Sequence, residues 1–231
     1  MTIWFNIITG LLILQFFYLT GWNKRMTEAK GDRLKIFVHK EMRKSLLKCA
    51  RRMVKRDGIA ALSARKLAGE ANSSVGMIYN IFGTMDNLIA EQNVMTLEEL
   101  YEQMCKVSLG DNAFNNLNRY ADILSAYIVA NPNLWNLLYS RHLSSGAAKS
   151  SMAEARVIKK IDLLICWQAA GMIGDMSIRE KRMMIKVLEM SLFALSGYLL
   201  GNKLQETSGL NRHNLCKLLM NTYVAGLNSL R

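Results

Sequence analysis

Proline is nearly absent from this chain of 231 residues, with Pro132 as its single example, and alternating patterns of β-branched residues are rare as well. Apolar residues recur instead at spacings of three and four, which is the period of amphipathic helices. Hydrophobic residues make up 51% of the chain, enough to bury a sizeable core. These features predict an all-α fold and argue against a substantial sheet.

The motifs of common catalytic and metal sites are also missing. The three histidines are isolated, and none of the patterns G-x-S-x-G, H-E-x-x-H and G-x-x-x-x-G-K occurs. The four cysteines lie far apart without a C-x-x-C pair, which is typical of core thiols in a reducing compartment. We therefore expect neither an enzyme nor a bound metal or cofactor.

Two short helices around a tight turn are indicated within residues 60–82. Ser63 precedes the first helix and Ser74 the second, and each hydroxyl can cap free backbone N–H groups. Asn72 lies at the reversal between them, where asparagine tolerates the left-handed conformation that ends many helices. The arrangement is typical of a helix-turn-helix that reads DNA.

The second helix of this pair has an apolar stripe, formed by Val75, Ile78 and Phe82, and a face of small and polar residues near its N-terminus. A short helix of this kind fits the major groove of double-stranded DNA. The residues expected to contact DNA on the two helices are Ser63, Arg65, Ser74, Val75, Gly76, Met77, Tyr79 and Asn80.

Positive charge is concentrated in the same part of the chain. The whole chain has 30 basic and 18 acidic side chains, and residues 24–82 hold 15 of the basic and 5 of the acidic ones. Lysine and arginine that neutralise phosphates release counterions, so a basic patch beside a groove-reading helix raises affinity for any duplex. A solvated basic surface or a patch for anionic lipid would have the same charge, but its position beside the helix pair favours DNA.

Small and apolar residues of the helix pair and its flanks form a longer pattern over residues 40–90: Leu47, Ala50, Val54, Gly58, Ile59, Ala68, Ala71, Ser74, Gly76, Ile78, Tyr79, Phe82, Asp86 and Leu88. The pattern resembles the signature of the tetracycline-repressor (TetR) family. It departs at Asn72, Ile81 and Met85, where family members often have Gly, His and Lys. The resemblance implies a homodimeric regulator of transcription, with a small N-terminal DNA-binding domain and a larger helical domain that usually binds a small effector.

On this basis we expect a hydrophobic N-terminal segment at residues 1–25, a helix-turn-helix domain of three helices at 26–83, and a helical effector-binding and dimerisation domain at 84–231. The spacing of apolar residues, caps and glycines predicts the individual helices. They are expected at residues 34–57, 63–70, 75–82, 84–106, 113–130, 132–141, 147–170, 177–200 and 211–227.

Residues 1–23 contain no charged side chain, and Lys24 and Arg25 follow at once. The segment is long enough to span a bilayer, and the charges after it would leave the remaining chain in the cytoplasm as a protein anchored to the inner membrane. Alternatively, these residues are not natively translated and Met26 is the start, which is the interpretation we favour for a cytoplasmic protein. Membrane contact is expected only if residues 1–23 are native.

The last two helices have broad apolar faces and are expected to pack in part against a second copy of the chain. Their apolar positions are Ile185, Leu188, Leu192, Leu195 and Leu199 on one, and Leu215, Leu218, Leu219, Tyr223 and Leu227 on the other.

A pocket for a small apolar or amphipathic effector is expected among the middle helices, where large side chains coincide with a few polar tips. The residues proposed to line it are Met104, Tyr127, Trp135, Tyr139, His142 and Trp167. The sequence thus predicts a dimeric repressor that an effector releases from a pseudo-palindromic operator. The alternative is a DNA-bound scaffold or adaptor for a protein partner without an effector, which would have a filled core and an exposed apolar patch.

Overall fold

The computed structural model describes residues 22–144, 151–170, 177–200 and 212–229. Within these ranges the regular structure is entirely helical, as the sequence predicts, apart from connecting turns. The helices are α1 (Trp22–Asp57), α2 (Ala64–Glu70), α3 (Val75–Phe82), α4 (Met85–Cys105), α5 (Ala113–Ala130), α6 (Pro132–Ser144), α7 (Met152–Ala170), α8 (Ile178–Leu200) and α9 (Arg212–Ser229), with a short 3₁₀ turn at Ile59–Ala61 before α2.

The predicted limits of α3 and α5 agree with the structure, and those of α2, α4 and α8 agree to within a residue. Helix α1 begins at Trp22 instead of residue 34, and α7 begins at Met152 instead of 147. The predicted cap of the last helix, Asn211, lies outside the described residues.

The later start of α7 has a local cause that the sequence contains. The Ser151 hydroxyl accepts a hydrogen bond from the Glu154 backbone N–H at 3.1 Å, and the Glu154 carboxylate accepts one from the Ser151 N–H at 2.6 Å. This reciprocal pair is a capping box, which satisfies two backbone donors that a helix start otherwise leaves without a partner. Helix α8 begins in the same way, with a reciprocal pair between Ser177 and Glu180.

Contacts divide the chain into two units, residues 1–46 and 47–231, with the division inside α1. The second unit contains α2, α3 and all later helices. The domain boundary expected near residue 83 remains a prediction. In the ranges that the structure describes, no helix combines the length and the apolar character needed to cross a membrane. Residues 1–21 of the hydrophobic N-terminal segment lie outside those ranges.

The main core of the second unit lies among α4 to α9. Its buried side chains include Leu100 and Leu117, together with Ile185, Leu188 and Leu192 from the apolar stripe of α8. The stripe that the sequence indicated as a partner-facing surface is therefore largely intramolecular core. A separate buried cluster joins Val54 of α1 to Leu134 and Leu137 of α6.

Candidate nucleic-acid interface and interior cavity

Serine caps fix the start of both helices in the helix pair. The Ser63 hydroxyl accepts a hydrogen bond from the Lys66 N–H at 3.3 Å, and the Ser74 hydroxyl accepts one from the Met77 N–H at 3.1 Å. Each bond satisfies a donor of the first turn, so the orientation of the helix relative to the chain before it is well defined.

The turn between α2 and α3 depends on Asn72, which has a φ of 47°. Among the residues that the structure describes, Asn72 is the one non-glycine residue in the left-handed region. The Ser73 N–H then bonds back to the Ala68 carbonyl at 2.9 Å, which closes the end of α2. Asn72 thus adopts the left-handed conformation that the sequence predicts for it.

Helix α3 buries Ile78, Ile81 and Phe82 and leaves its opposite face open to solvent. Tyr79 is 47% exposed and Met77 37% exposed. Of the eight predicted DNA contacts, Val75 is half-buried and the other seven are exposed. The exposed residues are Ser63, Arg65, Ser74, Gly76, Met77, Tyr79 and Asn80. The packing of α2 on α3 places these residues on two neighbouring helices.

The family pattern often has a histidine at position 81, where a polar ring can reach out of the helix. Ile81 is instead only 5% exposed and lies on the buried side of α3 with Ile78 and Phe82. The substitution therefore adds an apolar side chain to the core of the helix pair, since burial of that side chain is favourable by about 1.5–3 kcal/mol.

Two of the basic residues near the helix pair are already engaged within the protein. The Arg56 guanidinium bonds to Asp57 at 2.8 Å and to Glu70 at 3.0 Å, and these hydrogen bonds raise its pKa. Arg51 is 7% exposed and pairs with Glu99. The sequence count of basic residues thus overstates the charge available to phosphates. Exposed basic side chains in this part of the second unit are Lys48, Arg52, Lys55, Arg65 and Lys66.

Arg51 is the centre of a polar network that no local sequence pattern predicts. Its guanidinium donates to the Glu99 carboxylate at 2.5 Å and to the Thr96 hydroxyl at 3.1 Å, both on α4. The Tyr127 hydroxyl of α5 donates to the same Glu99 oxygen at 2.9 Å. Buried charge-assisted bonds of this kind are the strong ones, so α1, α4 and α5 are held together here. Burial, followed by the charge of Glu99, raises the pKa of Tyr127.

A cavity of about 310 Å³ that is partly open to solvent lies among α4, α5, α6, α7 and α8. This volume is at the lower end of the range for small-molecule sites, roughly 300–1,000 Å³. Its walls are mostly apolar. The aromatic and charged residues among those that line it are Trp135, Phe193, Asp162, Lys186 and Glu189.

The predicted effector residues fall in different places relative to this cavity. Trp135 lines it, and Tyr127 lies behind Trp135 in an edge-to-face contact with ring centroids 6.4 Å apart. Tyr139 stacks on Phe193 at 4.9 Å. Met104 lines a separate and smaller apolar space of about 40 Å³.

The two remaining predictions for this pocket have other outcomes. Trp167 is 82% exposed on α7 and does not line the cavity, because that helix turns its residues 158, 161, 162 and 165 inward instead. The structure therefore contradicts the prediction that Trp167 lines the effector pocket. The side chain of His142 lies outside the described residues.

The charged groups that line the cavity are two carboxyl groups and one amine. Lys186 forms an ion pair with Glu189 at 3.0 Å, and Lys186 is largely exposed while Glu189 is nearly buried. The Asp162 carboxyl faces that of Glu189. Burial, followed by the charge of Glu189, raises the pKa of Asp162 to about 6.

Comparison with solved structures identifies the architecture. A TetR-family transcriptional regulator from Streptomyces coelicolor aligns with a TM-score of 0.62 at 14% identity, covering 83% of this chain and 82% of its own. The chain has the TetR-type fold. A putative TetR-family regulator from Rhodococcus sp. aligns at 21% identity with a TM-score of 0.58, covering 80% of this chain and 99% of its own.

A third neighbour with the TetR-type fold is the repressor FadR of Thermus thermophilus, solved in complex with lauroyl-CoA. It aligns at 14% identity with a TM-score of 0.60, covering 80% of this chain and 94% of its own. No family sequence model matches the chain, and no curated protein matches it. At these identities the comparisons establish the fold.

Proposed function

We propose that the protein is a homodimeric DNA-binding regulator of transcription, and that a small molecule in the cavity releases it from a pseudo-palindromic operator as a repressor. The observation that carries the proposal is the capped helix pair, whose α3 exposes Met77, Tyr79 and Asn80 within a TetR-type fold. One such pair reads a short half-site, so specific binding needs two copies on a two-fold site.

Dimerisation is supported by an apolar stripe that the single chain leaves exposed. Met183, Val187 and Met190 lie at helical spacing on α8 and are 59%, 52% and 63% exposed, and Leu218 on α9 is 58% exposed. Isolated apolar residues on a surface are ordinary, but a continuous stripe at spacings of four and three is typical of a helix that packs on another. Two α8–α9 pairs would complete a four-helix bundle.

Release of DNA requires the ligand to favour an arrangement of the dimer that cannot bind the operator. Moving a two-state balance from 1:99 to 99:1 takes about 5.5 kcal/mol of differential affinity. The route available here runs from the cavity through Trp135 to Tyr127 and Glu99, and from there to Arg51 in α1. A change at that network would alter the separation of the two α3 helices, which must match a groove spacing of about 34 Å.

DNA binding is tested first by selecting bound duplexes from a random-sequence pool. The affinity of the protein for the most enriched duplex is then measured by fluorescence anisotropy at several salt concentrations. Arg65→Ala should weaken binding and reduce the salt slope by about 1, because one phosphate contact is lost. Lys159→Ala is the matched control, since it removes an equally exposed charge from α7, away from the helix pair. Equal losses in both variants would contradict the assigned interface.

The adaptor alternative is favoured by one observation, the exposure of Leu163 and Trp167 one turn apart on α7 at 59% and 82%. A partner protein could cover such a pair. Native mass spectrometry of the purified protein identifies co-purified small molecules, which are then titrated with and without operator. Reciprocity requires operator to weaken the binding of a releasing effector. Equal affinities in the two titrations would favour the adaptor.

A further inference from the structure

The cavity has a polar end whose charge is not balanced by the protein. Asp162 on α7 and Glu189 on α8 both line it, and Lys186 is the cation among its lining residues. The Lys186 amine bonds to Glu189 at 3.0 Å from a position that is 66% exposed, so it lies towards solvent. The second carboxyl group faces Glu189, which is a like charge. Two carboxylates share this end with one amine, and a cation placed beside them would be attracted.

The remainder of the cavity suits an apolar body with aromatic contact. Trp135 and Phe193 line it, as do leucine and isoleucine side chains of α4, α6 and α7. Trp135 is only 4% exposed, so the protein encloses most of its ring and presents the remainder to the cavity. An aromatic face also attracts a cation.

We propose that the effector is an amphipathic amine, whose protonated nitrogen binds between Asp162 and Glu189 and whose apolar body lies against Trp135 and Phe193. This inference rests on the proposed function, because it names the class of ligand for the same cavity. A fatty acid or acyl thioester anion is disfavoured here, since its charge would meet two carboxyl groups and a single exposed amine.

The test uses the full chain and three probes that share one alkyl body: decylamine, decanoate and decanol, each below its micelle concentration. Calorimetry without DNA should show decylamine binding about tenfold more tightly than decanol, because a charge-assisted bond to a carboxylate is added. Decanoate should bind most weakly. Equal binding of the three probes, tighter binding of decanoate, or no binding of decylamine would overturn the proposal.

Variants locate the amine within the cavity. Glu189→Gln should remove most of the preference for decylamine while leaving decanol binding unchanged, and Glu98→Gln is the control because Glu98 is exposed on α4 and does not line the cavity. Lys186→Met should strengthen decylamine binding, since a competing cation is removed. If Lys186→Met instead weakens the binding of all charged probes together, the amine does not lie at this end. Circular dichroism melts confirm that each variant is folded.

A final measurement separates this inference from the proposed function. Decylamine is added to the protein bound to its selected duplex. Binding of decylamine with the predicted preference but without release of DNA would support the ligand class and contradict the repressor mechanism. Release of DNA by decanoate and not by decylamine would support the mechanism and overturn the ligand class.

Discussion

At the scale of single residues, Asn72 decides how α2 and α3 meet. Its φ of 47° lies in the left-handed region, which a residue with an ordinary Cβ enters at a cost of about 1–2 kcal/mol. Asn72→Ala should therefore lower the free energy of unfolding by about 1 kcal/mol, and Asn72→Gly should leave it within about 0.5 kcal/mol. Urea unfolding of the two variants measures the difference. Equal stabilities would contradict the role given to the backbone at this turn.

Asp162 makes stability depend on pH. Its pKa is about 6 in the folded chain against 3.8 for the free side chain, so the folded state holds the proton more tightly and stability falls as pH rises between these values. Glu189 and Lys186 face it from α8, and Cys166 lies near it on α7. Because the group is partly exposed, solvent screening reduces the expected effect to about 1 kcal/mol.

Asp162→Asn removes this ionisation and tests its sign. The variant should be more stable than the parent by about 1 kcal/mol at pH 7.5, and the difference should disappear below about pH 3, where the parent carboxyl is mostly protonated in both states. Urea unfolding across this pH range measures it. A difference that grows towards low pH would contradict the raised pKa of Asp162.

At the scale of helices, the predictions succeeded where the signal is local. The caps at Ser63, Ser74 and Thr84 each bond to a backbone N–H three residues on, and the predicted helix starts agree with them. The start of α7 was misplaced because residue 147 opens a helix-compatible run, while the true start is set by the capping box of Ser151 and Glu154. That motif was present in the sequence and would have given the correct boundary.

The interior of the helical domain was less predictable, because burial depends on which face of each helix meets its neighbours. Trp135 and Trp167 both lie in apolar helical segments, yet one is 4% and the other 82% exposed. Spacing places residues on a face without saying what the face contacts. The pairing of Asp162 with Glu189, and of Arg51 with Glu99, joins residues far apart in the chain and left no local signal.

Two glycines in the last helices provide a matched test of packing between α6 and α8. A Cβ at Gly197 would collide with the Tyr139 ring, whereas one at Gly226 of α9 meets nothing within 4 Å. Gly197→Ala should destabilise the protein by about 1–3 kcal/mol through overpacking. Gly226→Ala should stabilise it by up to about 1 kcal/mol, because alanine favours helix. Thermal melts compare the two. Stabilisation by both substitutions would show that Gly197 is not needed for this contact.

At the scale of the whole molecule, the assembly follows from what α8 leaves exposed. Val187 lies in the centre of the exposed stripe, and Val129 on α5 is equally exposed, at 50% against 52%. A carboxylate in a dimer interface loses its hydration without a partner, so Val187→Asp should yield monomers. Val129→Asp should remain dimeric. Sedimentation equilibrium distinguishes them, and a dimer that survives Val187→Asp would place the interface elsewhere.

The coupling between cavity and reading helices is also a property of the whole molecule, and one hydroxyl tests it. Tyr127→Phe keeps the ring that contacts Trp135 and deletes the hydrogen bond to Glu99, while Arg51 keeps its own bond to Glu99. Because α1 stays anchored to α4, affinity for the operator should change less than about threefold. The factor by which a bound effector weakens operator binding should fall by about tenfold, since a typical coupling energy is about 1–3 kcal/mol and this bond lies on its route.

The same variant allows an independent check in the opposite direction. Thermodynamic linkage requires the factor by which operator weakens effector binding to fall by the same amount. Tyr101→Phe is the control, because Tyr101 lies on α4 near Lys160 and outside the Arg51 network. Calorimetric titration of effector with and without operator gives the factor for each variant. If Tyr127→Phe keeps the full coupling while binding both ligands normally, the signal does not pass through Glu99 and Arg51. Other links between the cavity helices and α1 would then carry it, among them the packing of Val54 against Leu134 and Leu137 and the hydrogen bond from the Asn133 amide to the Lys55 carbonyl.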